Sequence, residues 1–220
     1  SLKENKSFSF TEVILKLLSN PSIASKKWIY NQYDSQVQSN TVFKPGLSDA
    51  AVIRLREQNS KNKSKLFSGI AASVDCNSRW VSLDPFRGTI AAVAESARNV
   101  SCVGAEPLAI TNNLNFSSPE TEIGYWQLSS ACNAISEACK VLETPVTGGN
   151  VSLYNESKNE FNEITPIYPT PVIGMVGKIE NVKKAISSEW KNIGDQIWLI
   201  GSYKSETTIA ASSYLEYFHG

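Results

Sequence analysis

Between residues 50 and 178 the spacing of apolar residues switches repeatedly between strand and helix periods, and this limits the possible folds more than any other feature. Residues 50–55 and 66–75 are rich in small and β-branched side chains and predict two strands. Over residues 88–103, Ile90, Val93, Ala94, Ala97 and Val100 recur at helical spacing, and Gly104 is placed to stop the helix. Residues 107–111 predict a short strand. A second helix follows, with Ser118 as its cap, Pro119 in its first turn, and Glu120 and Glu122 at its positive end. Its expected buried row is Leu128, Cys132, Ile135, Cys139 and Leu142, in alternating four- and three-residue steps. A strand then enters a Gly148-Gly149-Asn150 turn, and another covers residues 170–178. This order predicts an α/β (α+β) domain, with helices covering one face of a mixed sheet.

The flanking segments read differently. Ser9 and Glu12 have capping-box spacing, which starts a helix near Phe10 with Val13, Ile14, Leu17 and Leu18 on one face, ended by Pro21. A second helix is expected over residues 24–32, burying Trp28 and Ile29. Residues 33–45 are polar and read as an extended arm. Residues 58–65 and 155–163 read as polar loops. Residues 181–191 read as a partly helical connector, and 194–202 as the first strand of a new unit, with Ile197, Trp198, Leu199 and Ile200. The expected divisions are an arm over 1–45, a main domain over 46–178, a connector over 179–193, and the opening of a further domain over 194–220.

Composition excludes several functions. The 21 Lys and Arg balance 21 Asp and Glu, so a dedicated nucleic-acid backbone binder, which carries a basic excess, is not expected. No apolar run approaches the roughly 20 residues that span a bilayer, and the polar N-terminus does not read as a secretory signal. Cys76, Cys102, Cys132 and Cys139 form no C-x-x-C pair or zinc spacing, and read as four small, buried, reduced thiols of a cytoplasmic protein. The single histidine is His219, so a mechanism needing a histidine base inside the domain must find it elsewhere.

Three groups of residues can carry chemistry. In Thr147-Gly148-Gly149-Asn150-Val151-Ser152, paired glycines let the main chain approach a phosphate closely. The Asn150 carboxamide is a hard oxygen ligand suited to Mg2+. On an extended chain Ser152 faces the same side as Asn150. A tight turn with a satisfied Asn is the ordinary alternative, and the segment lacks the Lys and Ser/Thr of a Walker A loop. Asn112, Asn113 and Asn115 offer donors and acceptors for a base, ribose or phosphate, although Asn-rich loops usually bond their own backbone. Asp49 and Asp75 flank strands and could share a cation, although exposed loop Asp is commoner.

Taken together and in order, several segments resemble the synthetase subunit of phosphoribosylformylglycinamidine synthase. They are Asp49-Ala50-Ala51-Val52, Ala94-Glu95-Ser96-Ala97-Arg98-Asn99, Gly104-Ala105-Glu106-Pro107-Leu108-Ala109-Ile110, Asn113-Leu114-Asn115-Phe116, Gly149-Asn150-Val151-Ser152-Leu153-Tyr154-Asn155 and Tyr168-Pro169-Thr170-Pro171. The resemblance is to a fragment of that protein's second half. It implies an AIR-synthase-like N-terminal domain, followed by the start of the C-terminal domain, in a pseudo-dimer of two homologous halves. It implies an ATP-dependent ligase of purine biosynthesis that converts formylglycinamide ribonucleotide and ammonia to the amidine, with Mg2+. The implied partners are a glutaminase subunit, a small accessory subunit and the rest of the same chain. By the same resemblance Gly149 and Asn112 match ATP-contacting positions, Asn150 a Mg2+ ligand and Ser152 a contact to the ribonucleotide. Asn112 stands where relatives often have Asp, and Val74-Asp75-Cys76-Asn77 departs from the family's Asp-Gly-Asn, so Asp75 receives no role. The family's catalytic histidines lie in its first half, so the chain alone is expected to be inactive, and apolar surface that the first half normally covers is expected to drive self-association. A structural pseudo-dimer half holding an unreacted nucleotide is the alternative, as is another ATP-using member of the same superfamily.

Overall fold

The computed structural model describes residues 8–56, 67–201 and 209–219. The chain divides into two units: residues 35–189, and residues 1–34 together with 190–220. The larger unit holds strands β1 (Ala51–Arg54), β2 (Gly69–Asp75), β3 (Glu106–Asn115), β4 (Val146–Ser152), β5 (Glu156–Lys158), β6 (Ile164–Pro166) and β7 (Thr170–Ile179). Its helices are α3 (Ser78–Leu83), α4 (Pro85–Cys102) and α5 (Glu122–Leu142). The smaller unit holds α1 (Phe10–Ser19), α2 (Lys27–Tyr30) and α6 (Ser213–His219).

Five strands form one mixed sheet in the order β1-β2-β7-β3-β4. β3 and β4 run parallel, joined through α5, and the other neighbouring pairs are antiparallel. The expected mixed sheet with helices on one face is therefore present. Period-two alternation sorts the strand side chains. Val52, Ala71, Ser73, Ile110, Ile173 and Met175 are buried on the inner face, together with Val93, Ala97 and Val100 of α4. Gly177 permits this contact, because a Cβ there would sit 2.3 Å from Val100 Cγ1. On the outer face Ile53, Val74 and Val176 remain accessible.

The helices differ in detail from expectation. α4 begins three residues earlier, because Asp84 caps it through the Arg87 amide (2.9 Å) and Pro85 occupies its first turn. Gly104 takes the left-handed conformation just past its end, at φ 86°. Thr121, not Ser118, caps α5: its hydroxyl accepts from the Gly124 amide (3.1 Å) and donates to the Ser118 carbonyl (3.0 Å). Pro119 and Glu120 lie in the turn before it. The buried face of α5 is Ala131, Ala134, Ile135, Ala138 and Cys139, whereas Cys132 and Leu142 are exposed. Small residues win this face because α5 packs closely against α4.

β3 reaches Asn115, well past the short strand expected. It is paired on both sides, by β4 and β7, and that ladder overrides the poor strand propensity of three asparagines. Gly148-Gly149-Asn150 is likewise strand, not turn, and neither glycine has positive φ. Residues 156–166 form the β5–β6 hairpin where a loop was expected.

In the smaller unit the capping box of α1 is present, with Glu12 bonded to the Ser9 amide and hydroxyl. Those bonds hold the Glu12 carboxyl below its ordinary range. Phe8 packs edge-on against Phe218 at 4.8 Å, with Lys16 Nζ over the Phe8 ring. Ile14 and Leu18 are exposed, as is Trp28 at 71%. α2 is one turn long, too short to bury Trp28 and Ile29. Residues 195–200 form no strand, because no strand partner borders them among the described residues. The expected polar loop at 58–65 lies outside the described residues. No helix among the described residues is long and apolar enough to cross a membrane.

Candidate functional site at the β4 edge

The candidate residues converge on the β3–β4 pair. Register opposes Asn112 to Gly149, Asn113 to Asn150 and Asn115 to Ser152. A shift between Ile110 and Thr111 leaves Thr147 as an extra residue, whose hydroxyl donates to the Ile110 carbonyl at 3.1 Å. Thr111 Oγ1 donates to the Gly148 carbonyl, also at 3.1 Å. Together these bonds hold β4 in register where its sequence carries two glycines.

Alternation then divides the candidates between the two faces. Asn112 and Gly149 lie on the inner side. A Cβ on Gly149 would stand 1.9 Å from Asn112 Oδ1 and 2.7 Å from the Asn112 carbonyl oxygen, so the Asn112 side chain fills the space that glycine leaves. Asn112 also lines a cleft of about 530 Å³ between α5 and β4, with Cys132, Ile135, Ser136, Cys139 and Val146. Of the four thiols expected to be buried, Cys139 is buried, Cys76 is half-buried, and Cys102 and Cys132 lie at the helix surfaces and are exposed. Partial desolvation in the cleft pushes the Cys132 and Cys139 thiols up, which makes them poor nucleophiles.

Asn150 and Ser152 share the outer side, as expected for an extended chain. Asn150 Nδ2 donates to Asn113 Oδ1 at 3.1 Å, and no hydrogen bond among the described residues occupies Asn150 Oδ1. Gly148 also points outward, where a Cβ would meet nothing within 4 Å. Residues 146–151 are exposed, and β4 ends the strand order, so its outer edge has no strand partner among the described residues. This corner is open to an arriving anion.

Two features were not read from the sequence. One is the Asn113–Asn150 bond, which requires the parallel register. The other is Asn155, which folds back on Ser152 with contacts of 3.2 and 3.3 Å between their side chains. Its signal was the three-residue step from Ser152, invisible without the left-handed turn at Tyr154.

The aspartates have other surroundings. Asp75 accepts from Ser96 Oγ and Asn99 Nδ2, both at 2.8 Å, and so ties the end of β2 to α4. Asp49 and Asp75 both line a cleft of about 470 Å³. Among the described residues no group of three or more His, Cys, Asp or Glu could hold a metal ion.

Residues 47–179 match the model of the family described as AIR synthase related protein, N-terminal domain. The chain belongs to the AIR synthase-related family. Its relatives within the family are close. Over all 220 residues it is 90% identical to "Phosphoribosylformylglycinamidine synthase subunit PurL" of Prochlorococcus marinus (strain MIT 9312), and 87% identical to the protein of the same name in strain MIT 9215. The chain spans 28% of the length of these relatives. Among solved AIR synthase-related structures it is similar to "Structure of PurLQS from Thermotoga maritima", with TM-score 0.63, 34% identity, and coverage of 76% of this chain and 25% of that one. It is also similar to "T. maritima PurL complexed with ATP" (TM-score 0.60, 34% identity, 74% of this chain and 24% of that one). A third is "T. maritima PurL complexed with FGAR" (TM-score 0.58, 35% identity, 74% of this chain and 24% of that one).

Proposed function

We propose that this chain is part of the second half of a phosphoribosylformylglycinamidine synthase, and that the edge of β4 forms one wall of its site for ATP, Mg2+ and formylglycinamide ribonucleotide. The names of its relatives and of the solved complexes with ATP and FGAR support the reaction class. The observation that carries the site is the accessibility of residues 146–151 at an unpartnered sheet edge, with open space over Gly148.

The donor set fits a phosphate-bound magnesium ion in one respect. Asn150 Oδ1 is a neutral hard oxygen with no hydrogen bond among the described residues, and Mg2+ takes few protein ligands when phosphates and waters supply the others. Bound ATP supplies the phosphoryl group that turns the substrate's amide oxygen into a leaving group, which ammonia displaces. The residues of this chain bind and orient. Gly148 lets a phosphate approach the main chain, and Asn113 holds the Asn150 amide by its nitrogen, which leaves the oxygen for the metal. Asn112 and Gly149 contact the nucleotide from the inner side. Ser152 contacts the ribonucleotide. On this reading ammonia comes from a glutaminase subunit assembled with a small accessory subunit, in the cytoplasm.

The test uses the complete protein that carries this chain. Asn150→Ala is expected to raise the Mg2+ concentration for half-maximal activity about tenfold, the size of one lost hard ligand or charged hydrogen bond. Unchanged Mg2+ and ATP dependence would remove Asn150 from the site. A second reading, a structural half of a pseudo-dimer, is favoured by the accessible apolar residues Ile53, Val74 and Val176 on the outer face. Activity indifferent to Asn150→Ala, but lost together with assembly in Val74→Lys, would select that reading.

A further inference from the structure

We infer that Asn155 is a positioning residue for Ser152, and that it orients the Ser152 hydroxyl to accept a hydrogen bond from the substrate. This rests on the reading that Ser152 contacts the ribonucleotide. The geometry begins at Tyr154, which takes φ 59° immediately after β4, a conformation that non-glycine residues seldom adopt. That turn brings Asn155 back over the strand end. The Asn155 amide donates to the Phe116 carbonyl (3.1 Å), and its own carbonyl accepts from the Ile167 amide (3.1 Å). Phe116 is fully buried, so this anchor sits on the core.

The side chain completes the arrangement. Asn155 Nδ2 lies 2.7 Å from the Ser152 carbonyl, 3.2 Å from the Phe116 carbonyl and 3.2 Å from Ser152 Oγ. Asn155 Oδ1 lies 3.3 Å from Ser152 Oγ. An amide nitrogen carries two protons. Two backbone carbonyls, which can only accept, claim both. The bond left to Ser152 is the one it donates to Asn155 Oδ1. Its hydroxyl proton is then turned inward and its lone pairs outward. A hydroxyl held this way recognises a donor, such as a sugar hydroxyl or an amide N–H, and does not donate to a phosphate. Formylglycinamide ribonucleotide carries both kinds of donor.

The experiment is a double-mutant cycle in the complete protein, with Ser152→Ala, Asn155→Ala and the double variant. KM for formylglycinamide ribonucleotide, kcat, KM for ATP and melting temperature are measured for each. Ser152→Ala is expected to raise KM for the ribonucleotide about tenfold, the loss of one good hydrogen bond. Asn155→Ala is expected to raise it about fivefold at unchanged KM for ATP. The double variant should be no worse than Ser152→Ala, since Asn155 acts through that hydroxyl. Additive effects would overturn the positioning role while leaving Ser152 in the site. No effect of Ser152→Ala would instead overturn the underlying reading. If Asn155→Ala does not fold, Asn155→Ser enters the same cycle: its hydroxyl can donate to one of the two backbone carbonyls, but it supplies no amide oxygen to receive the Ser152 proton. The same non-additivity is expected, and additive effects would again overturn the positioning role.

Discussion

Neighbouring glycines in β4 should respond oppositely to alanine. At Gly149 a new Cβ would stand 1.9 Å from Asn112 Oδ1 and 2.7 Å from the Asn112 carbonyl oxygen. The side-chain oxygen can rotate away. The carbonyl belongs to β3, which is paired on both sides, so it can yield only by distorting the ladder. Overpacking of this kind costs about 1–3 kcal/mol. For a unit of this size each kcal/mol lowers the melting temperature by roughly 2–4 °C, so Gly149→Ala should lose about 4–8 °C for a cost near the middle of that range. At Gly148 a Cβ meets nothing within 4 Å and φ is not positive. Gly148→Ala should therefore be neutral or stabilise by up to about 1 kcal/mol, through the entropy of the unfolded chain. Asn112→Ala should rescue Gly149→Ala only in part, because the carbonyl clash remains. Thermal and urea unfolding of the 220-residue chain measure all three. Equal losses at 148 and 149, or full rescue by Asn112→Ala, would refute the reasoning.

Other consequences are simpler to test. Thr121→Ala removes the α5 cap and should cost about 1 kcal/mol, recovered in Thr121→Ser, with urea midpoints as the readout. A loss in both variants would point to the methyl group instead. Burial, assisted by the charge of Glu95, pushes the Cys76 thiol up to about 11 from an ordinary 9.0. The folded state therefore holds this proton more tightly than the unfolded chain. Stability should fall as pH rises from about 9 to 11 and be insensitive to this group below that range. Timed alkylation at pH 8 with peptide mapping should modify exposed Cys102 well before Cys76, and equal rates would contradict the burial argument.

How much of this was legible depends on whether a residue's neighbours were local. The capping box at Ser9 and Glu12 lies within one turn and was readable. So was the left-handed stop at Gly104. The face of α5 was not, because Cys132 and Leu142 fit the helical period as well as Ala131 and Ala138 do. Only the close approach of α4 selects the alanines. The length of β3 was hidden for the same reason: asparagine is a poor strand former in isolation, and the ladders on either side come from residues 146–152 and 170–179. The strand expected at 194–202 shows the converse, apolar residues with the right period and no described partner.

The candidate site carries the sharpest form of this lesson. Paired glycines before an asparagine suggested bare main chain offered to a phosphate. In the sheet the two glycines have separate causes. Gly149 is small because the Asn112 side chain occupies its inner face, which is an intramolecular demand independent of any ligand. Gly148 has open space on the outer face, the side shared by Asn150 and Ser152. If a phosphate–magnesium pair binds here, it approaches on that side, and the nucleotide's contacts with Asn112 and Gly149 must come around the β4 edge. Only an edge strand allows one ligand to reach both faces of a sheet. The position of β4 at the end of the strand order is thus what makes the four residues compatible with a single site.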